Sequence, residues 1–307
     1  MAAKSQRRKD RSAGSAGRRE PHPSSPGRDR RPWVLAGVSL AALSTILVVA
    51  ALQGSGFANA AWSRLGTEDV HSLAFVEGDP QRLLFGHHGG VLATDDGGQT
   101  WAPLGTRSDA MGLGLAAGGS IIIAGHEVFA ESGDGGQTWL DIPADLPSLD
   151  IHGFARDPGD PARMWAYLAT GGLWESLDSG RTWDRILEQN VVFPVAIAAP
   201  SGTRLIGVTP DGVGRSDDGG RTWQTVTDPQ LYPVTGLAAS ADGSVLIASG
   251  PDAVARSDDG GTTWSRIPFD GQPAALAVTD GGRSIALVTR STEFYRSDDG
   301  GVTWPGP

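Results

Sequence analysis

The 307-residue sequence contains no cysteine, so no disulfide can staple the fold and no thiolate can hold a metal. Lysine is almost as scarce, with both copies, Lys4 and Lys9, in the first ten residues. Removing the 10 basic and 3 acidic residues of positions 1–60 from totals of 25 and 35 leaves 15 Arg against 32 Asp and Glu, a formal balance of −17. A surface so acidic repels phosphate backbones and excludes nucleic acid as a partner, while it suits cations or neutral ligands. Apolar runs long enough to cross a bilayer are missing everywhere except residues 33–52. What the chain has in quantity is glycine, 44 residues, and a repeated phrase.

Residues 215–223 read RSDDGGRTW, and variants of the phrase occur six times: TDDGGQTW, SGDGGQTW, SLDSGRTW, SDDGGRTW, SDDGGTTW and SDDGGVTW. Their tryptophans are Trp101, Trp139, Trp183, Trp223, Trp264 and Trp304, spaced by 38, 44, 40, 41 and 40 residues. A period near forty with one turn motif per unit predicts a propeller, one blade per repeat. In each unit the Asp and Gly positions suit a tight turn, because Asp bonds nearby N–H groups and Gly supplies positive φ. The Thr and Trp that follow favour a strand, with the indole placed to pack between neighbouring sheets.

The pattern [S/T]-x-D-x-G-x-T-W resembles the Asp-box, or BNR, repeat of sialidases, sortilin-type receptors, xyloglucanases and a photosystem assembly factor. The resemblance runs from about Trp62 to the last residue and implies an all-β, six-bladed β-propeller. In this family the box aspartates, Asp96, Asp134, Asp178, Asp218, Asp259 and Asp299 here, are folding elements rather than catalysts. Chain-wide, the sequence is similar to small bacterial exported proteins of glycosyl-hydrolase-like type.

Three segments are expected. Residues 1–32 are basic and rich in Ser, Pro and Gly, a composition that builds no core. Residues 33–60 form a signal peptide or transmembrane anchor, with basic residues before it that hold the N-terminus in the cytoplasm and send the remainder out. Ala58-Asn59-Ala60 before Ala61 has the small-x-small form of a signal-peptidase site, and Arg30-Arg31 loosely resembles a twin-arginine signal. Residues 61–307 form the propeller. It is therefore exported, and either secreted after cleavage or held by the anchor, with membrane contact confined to residues 33–52. A monomer is expected.

Within the first repeat, residues 72–75 (SLAF) read as inner strand A, 77–80 as a turn, 82–86 as B, 87–90 as a loop, 91–94 as C and 100–104 as D. Leu113-Gly114, Phe154-Ala155, Ile197-Ala198, Leu237-Ala238 and Leu276-Ala277 match Leu73-Ala74 in the other repeats. After Trp304 only three residues follow, too few for an outer strand. Residues 61–65 (AWSRL) look like strand D of another repeat without its box. They are expected to complete the sixth blade and so remove an open sheet edge.

Chemistry is then sought on the face opposite the boxes, where the D–A and B–C loops emerge. Five histidines fall there: His71 and His152 just before strand A, His88 and His126 at matching positions before the box, and His87 beside His88. Asp69-Val-His71, Asp109-Ala-Met111 and Asp150-Ile-His152 are equivalent triplets in blades one to three. Phe193, Pro233 and Gln272 stand at the Asp position in blades four to six, so polar ligands crowd one half of the mouth. Imidazoles on adjacent blades can converge on a transition metal, zinc or copper foremost, with carboxylates orienting them. The candidate ligands are His71, His88, His126 and His152, with His87 or Met111 as an additional one and Asp69 and Asp150 behind them. The competing reading makes them polar pore residues bonded to water.

Tested residue by residue, a sialidase mechanism finds little support. That family uses three arginines, a tyrosine with its glutamate, and an acid/base aspartate. Arg107 and Arg290 lie on the candidate face without a third, Tyr167 and Tyr295 fall in strands, and Tyr232 alone lies near a D–A loop. Another glycosidase would draw two carboxylates from Asp69, Asp109, Asp150, Asp211, Asp252 and Glu293, and nothing singles out a pair. Three functions are carried forward. The first is an exported binding or assembly propeller holding a metal or small ligand at its mouth. The second is a glycoside hydrolase of the sialidase superfamily using loop carboxylates, and the third a protein-interaction scaffold with the histidines incidental; across the three the partner is a glycan, a small ligand or a protein.

Overall fold

A computed structural model describes residues 59–307 apart from 77–78, 107, 117, 200–201 and 227–228. The expectations for the tail at 1–32, the span at 33–52 and the cleavage site at 58–60 lie wholly or largely outside the described residues, as does Arg107. Among the described residues no helix is long and apolar enough to cross a membrane.

Six four-stranded antiparallel sheets follow one another, the first five each a meander from inner strand A to outer strand D. Blade one comprises Ser72–Val76, Asp79–His87, Gly90–Thr94 and Ala102–Pro103. Strand B begins at Asp79, inside the segment read as a turn, and runs on through His87. Strand D is shorter than residues 100–104. Thr100 is taken by the box, where its N–H and hydroxyl donate to Asp96, and Pro103 has no N–H to extend the ladder.

The ring closes through the N-terminal strand. Ser63–Arg64 pairs antiparallel with Glu293–Ser297, the third strand of blade six, in the register Ser63↔Phe294 and Arg64↔Glu293. Backbone bonds from Trp62 N–H to Phe294 O (2.8 Å) and from Ala60 N–H to Trp304 O (3.1 Å) extend the seam. The sixth sheet thereby gains its outer strand and the propeller has no unpaired final blade.

Apolar side chains concentrate where blades face one another. Leu73, Leu83 and Phe85 of blade one meet Ala275, Val288 and Phe294 of blade six, and Phe129 of blade two meets Phe154, Met164 and Trp183 of blade three. Middle strands such as Met164–Leu168 are buried along their whole length because both faces are covered. The box tryptophans bridge these interfaces: Trp101 meets Phe294 edge-on at 5.2 Å and Trp183 meets Phe129 at 5.8 Å. Inner strands are rich in Ala and Gly because the axis is crowded. A Cβ on Gly114 would come within 2.4 Å of the Phe154 ring in the next blade.

Each Asp box is a hydrogen-bond cage. In blade two, Asp134 Oδ1 accepts from the N–H groups of Gln137 (3.0 Å) and Thr138 (2.9 Å), while Oδ2 accepts the Thr138 hydroxyl (2.6 Å). The Ser132 hydroxyl donates to Asp134 (2.8 Å) and accepts the Gly136 N–H (2.8 Å). Thr138 is the chief reason the Asp134 carboxyl is held down at about 2. The box carboxylates are thus consumed by their own turns, in keeping with a folding role.

Candidate functional site: an Asp/His arc at the channel mouth

The inner strands surround a central cavity of about 650 Å³. At the end carrying the D–A and B–C loops its walls include His71, Met111, His152, Phe193, Thr235 and Arg290. Three carboxylates and four imidazoles form an arc across blades one to three, in three overlapping groups: Asp69/His71/His88, His88/Asp109/His126 and His126/Asp150/His152.

Local backbone bonds set these positions. Asp69 ends the loop into strand A of blade one, and its Oδ1 accepts the N–H of His88 (3.0 Å) from the adjoining B–C loop. Asp109 repeats the device one blade on, its Oδ2 accepting the His126 N–H (3.3 Å). His126 in turn forms an isolated antiparallel bridge to Asp150. Repeat-equivalent loops therefore bring each entry carboxylate against the B–C loop of its own blade, and His126 also against Asp150 of the next blade.

At one end of the arc His71 Nε2 lies 2.8 Å from His88 Nδ1, and His88 Nδ1 is in direct contact with Asp69 Oδ2. In the middle, Asp109 Oδ2 lies 2.7 Å from His126 Nδ1, and Asp109 Oδ1 lies 3.4 Å from His71 Nε2. At the other end His126 Nε2, His152 Nε2 and Asp150 Oδ1 form a triangle with edges of 3.2, 2.9 and 3.2 Å. Burial holds the His71 imidazole below its ordinary value, only partly offset by Asp69 and Asp109. Burial pushes the Asp69 carboxyl up, but the His88 N–H and the flanking imidazoles outweigh it and the net shift is down.

The structure thus gathers His71, His88, His126, His152, Asp69 and Asp150 into one arc. His87 is placed apart, its ring stacked on Phe85 and its Nδ1 accepting the Gly89 N–H (3.1 Å). Met111 lines the cavity. Asp109 turns out to be the centre of the arc. Its sequence signal was its place in the middle triplet, between two that carry histidine.

Catalytic constellations are harder to assemble from the described residues. Arg290 is at the mouth, whereas Arg156 is tied to Glu131 and Ser120. Asp69, Asp109 and Asp150 are all engaged by imidazoles, and Glu293 is taken up by Arg64 and Ser291. Tyr232, in the loop between blades four and five, is 96% exposed on the mouth face.

Residues 186–306, less than half of the chain, match the family model described as photosynthesis system II assembly factor YCF48. No curated protein matches. Among solved structures, YCF48 from Cyanidioschyzon merolae is similar at 19% identity and a TM-score of 0.53, over 80% of this chain and 88% of that one. A YCF48 bound to a D1 peptide is similar at 22% identity and a TM-score of 0.50, over 79% and 83%. The GH74 enzyme of Niastella koreensis gives 16% identity and a TM-score of 0.54, with this chain spanning 48% of that one. At such identities the shared property is the fold: the chain is a six-bladed β-propeller of the BNR-repeat type.

Proposed function

We propose that this propeller is an exported binding and assembly module that meets a protein partner at the Asp/His mouth, taking a neutral or basic extended segment over the central cavity. The observation that carries the reading is the placing of the partly exposed Asp69 and Asp150, with the buried Asp109 between them, on one half of a mouth that opens onto that cavity. A formal −17 over residues 61–307 favours encounter with a basic segment. Tyr232 adds an amphipathic ring on the same face, the kind of side chain that anchors protein contacts. The match to an assembly factor and the peptide bound to a similar propeller support the same class of partner. Residues 33–52 and the basic residues before them support export.

The test is a bead-displayed library of random dodecapeptides, panned against the full-length protein in detergent, with winners titrated singly by fluorescence anisotropy. Peptides enriched in Arg and Lys are expected. Their binding should weaken at least about tenfold in Asp69→Asn/Asp150→Asn, the loss of roughly one charged contact. Leu177→Ser, on the box face, should leave it unchanged. Peptides that bind both variants equally, or that follow Leu177, would overturn the reading.

A further inference from the structure

We infer that the mouth holds one divalent transition-metal ion on His126 Nε2, His152 Nε2 and Asp150 Oδ1, with Asp109 positioning His126. The spacing of the three atoms is the first reason. Edges of 3.2, 2.9 and 3.2 Å make a nearly equilateral triangle. Atoms bound to zinc at about 2.0–2.1 Å lie about 2.8 to 3.4 Å apart, from octahedral to tetrahedral sites. An ion at that distance from all three would sit about 1 Å off their plane, leaving open coordination positions.

The tautomer of His126 is the second reason. Its Nδ1 lies 2.7 Å from Asp109 Oδ2, where the ring donates its proton. A neutral imidazole that donates from Nδ1 carries its lone pair on Nε2, the atom at the triangle's corner. A carboxylate that fixes the tautomer of a ligating histidine is the usual support behind such sites.

Asp109 supplies the third reason. It is 7% exposed, and its Oδ1 is buried without a hydrogen bond; the nearest imidazole nitrogen, His71 Nε2, is 3.4 Å away. With Oδ2 taken by the His126 N–H and Nδ1 and Oδ1 left without a hydrogen bond, the Asp109 carboxylate is favoured by positive charge placed on the imidazole it holds. The other end of the arc is built differently. His71 Nε2 is 3.6 Å from Asp69 Oδ2 and His88 Nδ1 sits directly on that carboxylate, the spacing of a hydrogen-bonded cluster rather than of ligands.

The test uses full-length protein purified in detergent through a tag free of histidine, stripped with chelator and titrated with cobalt(II) and zinc(II), with no partner peptide present. About one ion per chain is expected, with cobalt giving visible bands of an N/O site and zinc raising the melting temperature. His152→Ala and Asp150→Asn should abolish both signals, whereas His71→Ala and His87→Ala should keep them. Asp109→Asn should weaken cobalt binding about 10–100-fold at unchanged stoichiometry and band position, the signature of a positioning residue. Circular dichroism of each variant shows that the fold is retained, and His152→Gln replaces His152→Ala if it is not. No saturable ion, or an ion retained by His152→Ala and Asp150→Asn, overturns the inference. That result would leave partner binding standing, since the peptide titration reads it separately.

Discussion

Blade three breaks the glycine pattern of its own box, and the break makes a sharp stability prediction. The first glycine of each box has positive φ, such as Gly135 at 74° and Gly260 at 66°, but Ser179 occupies that place in blade three at 63°. A non-glycine residue there costs about 1–2 kcal/mol, and replacing it by glycine returns about 0.5–1 kcal/mol as unfolded-chain entropy. Ser179→Gly should therefore stabilise by about 0.5–1 kcal/mol, a rise of about 1–4 °C in melting temperature for a domain of this size. The second glycine is a different case. A Cβ on Gly180 would lie 2.5 Å from Phe129 Cε1 and 2.6 Å from its Cζ, in the core of blade two. Gly180→Ala should then add overpacking of about 1–3 kcal/mol to the conformational cost. Gly135→Ala meets only the far end of Arg82 at 3.5 Å and pays the conformational cost alone. Thermal and urea melts of the three variants decide the matter. Equal losses at Gly135 and Gly180, or a loss at Ser179, would refute the reasoning.

Other consequences follow from the ion pairs and the cages. Thr138 hydroxyl and N–H bonds hold Asp134 at about 2, and the Thr182 N–H is first among the bonds that do so for Asp178, against 3.8 in an unfolded chain. These depressed carboxyls contribute stability that is complete above about pH 4 and is lost as pH falls towards 2. Circular dichroism should place acid unfolding in that window, and Thr138→Val should move it to higher pH. Glu175, 5% exposed, joins Arg163 (2.6 Å) to Arg221 (2.7 Å) between blades three and four. Glu175→Ala should cost about 2–3 kcal/mol by denaturant titration, because two guanidinium groups lose their partner. The exposed Arg64–Glu293 pair at the seam (2.7 Å) should contribute less than about 1 kcal/mol, so Arg64→Ala should melt close to wild type.

The fold was legible because the box is a self-contained device. Its Ser or Thr, Asp, Gly and Thr bond to one another within eight residues, so the pattern survives in the sequence unblurred by tertiary context. Closure was legible from the same periodicity, as AWSRL had no box and the sixth repeat no outer strand. Strand ends were less so: Asp79 and His87 look like turn residues, but pairing within blade one, of Asp79 with Val76 and of His87 with Gly90, carries strand B through them. The half-ring of Asp-x-His triplets pointed to the arc, yet spacing alone could not place Asp109 at its centre or turn His87 onto Phe85. Those facts depend on how the loops of the mouth interlock, through bonds such as Asp109 to the His126 N–H. That information is distributed over positions 17 residues apart.

The face a partner meets can be read directly by site-specific photocrosslinking of the full chain in producing cells. A benzophenone amino acid replaces Tyr232 on the mouth face or Leu177, also exposed, on the box face. Discrete adducts from position 232 that disappear with Asp69→Asn/Asp150→Asn, and none from 177, are the predicted result. Adducts from position 177 alone, or adducts from 232 indifferent to the loss of the mouth carboxylates, would contradict a working face at the Asp/His mouth.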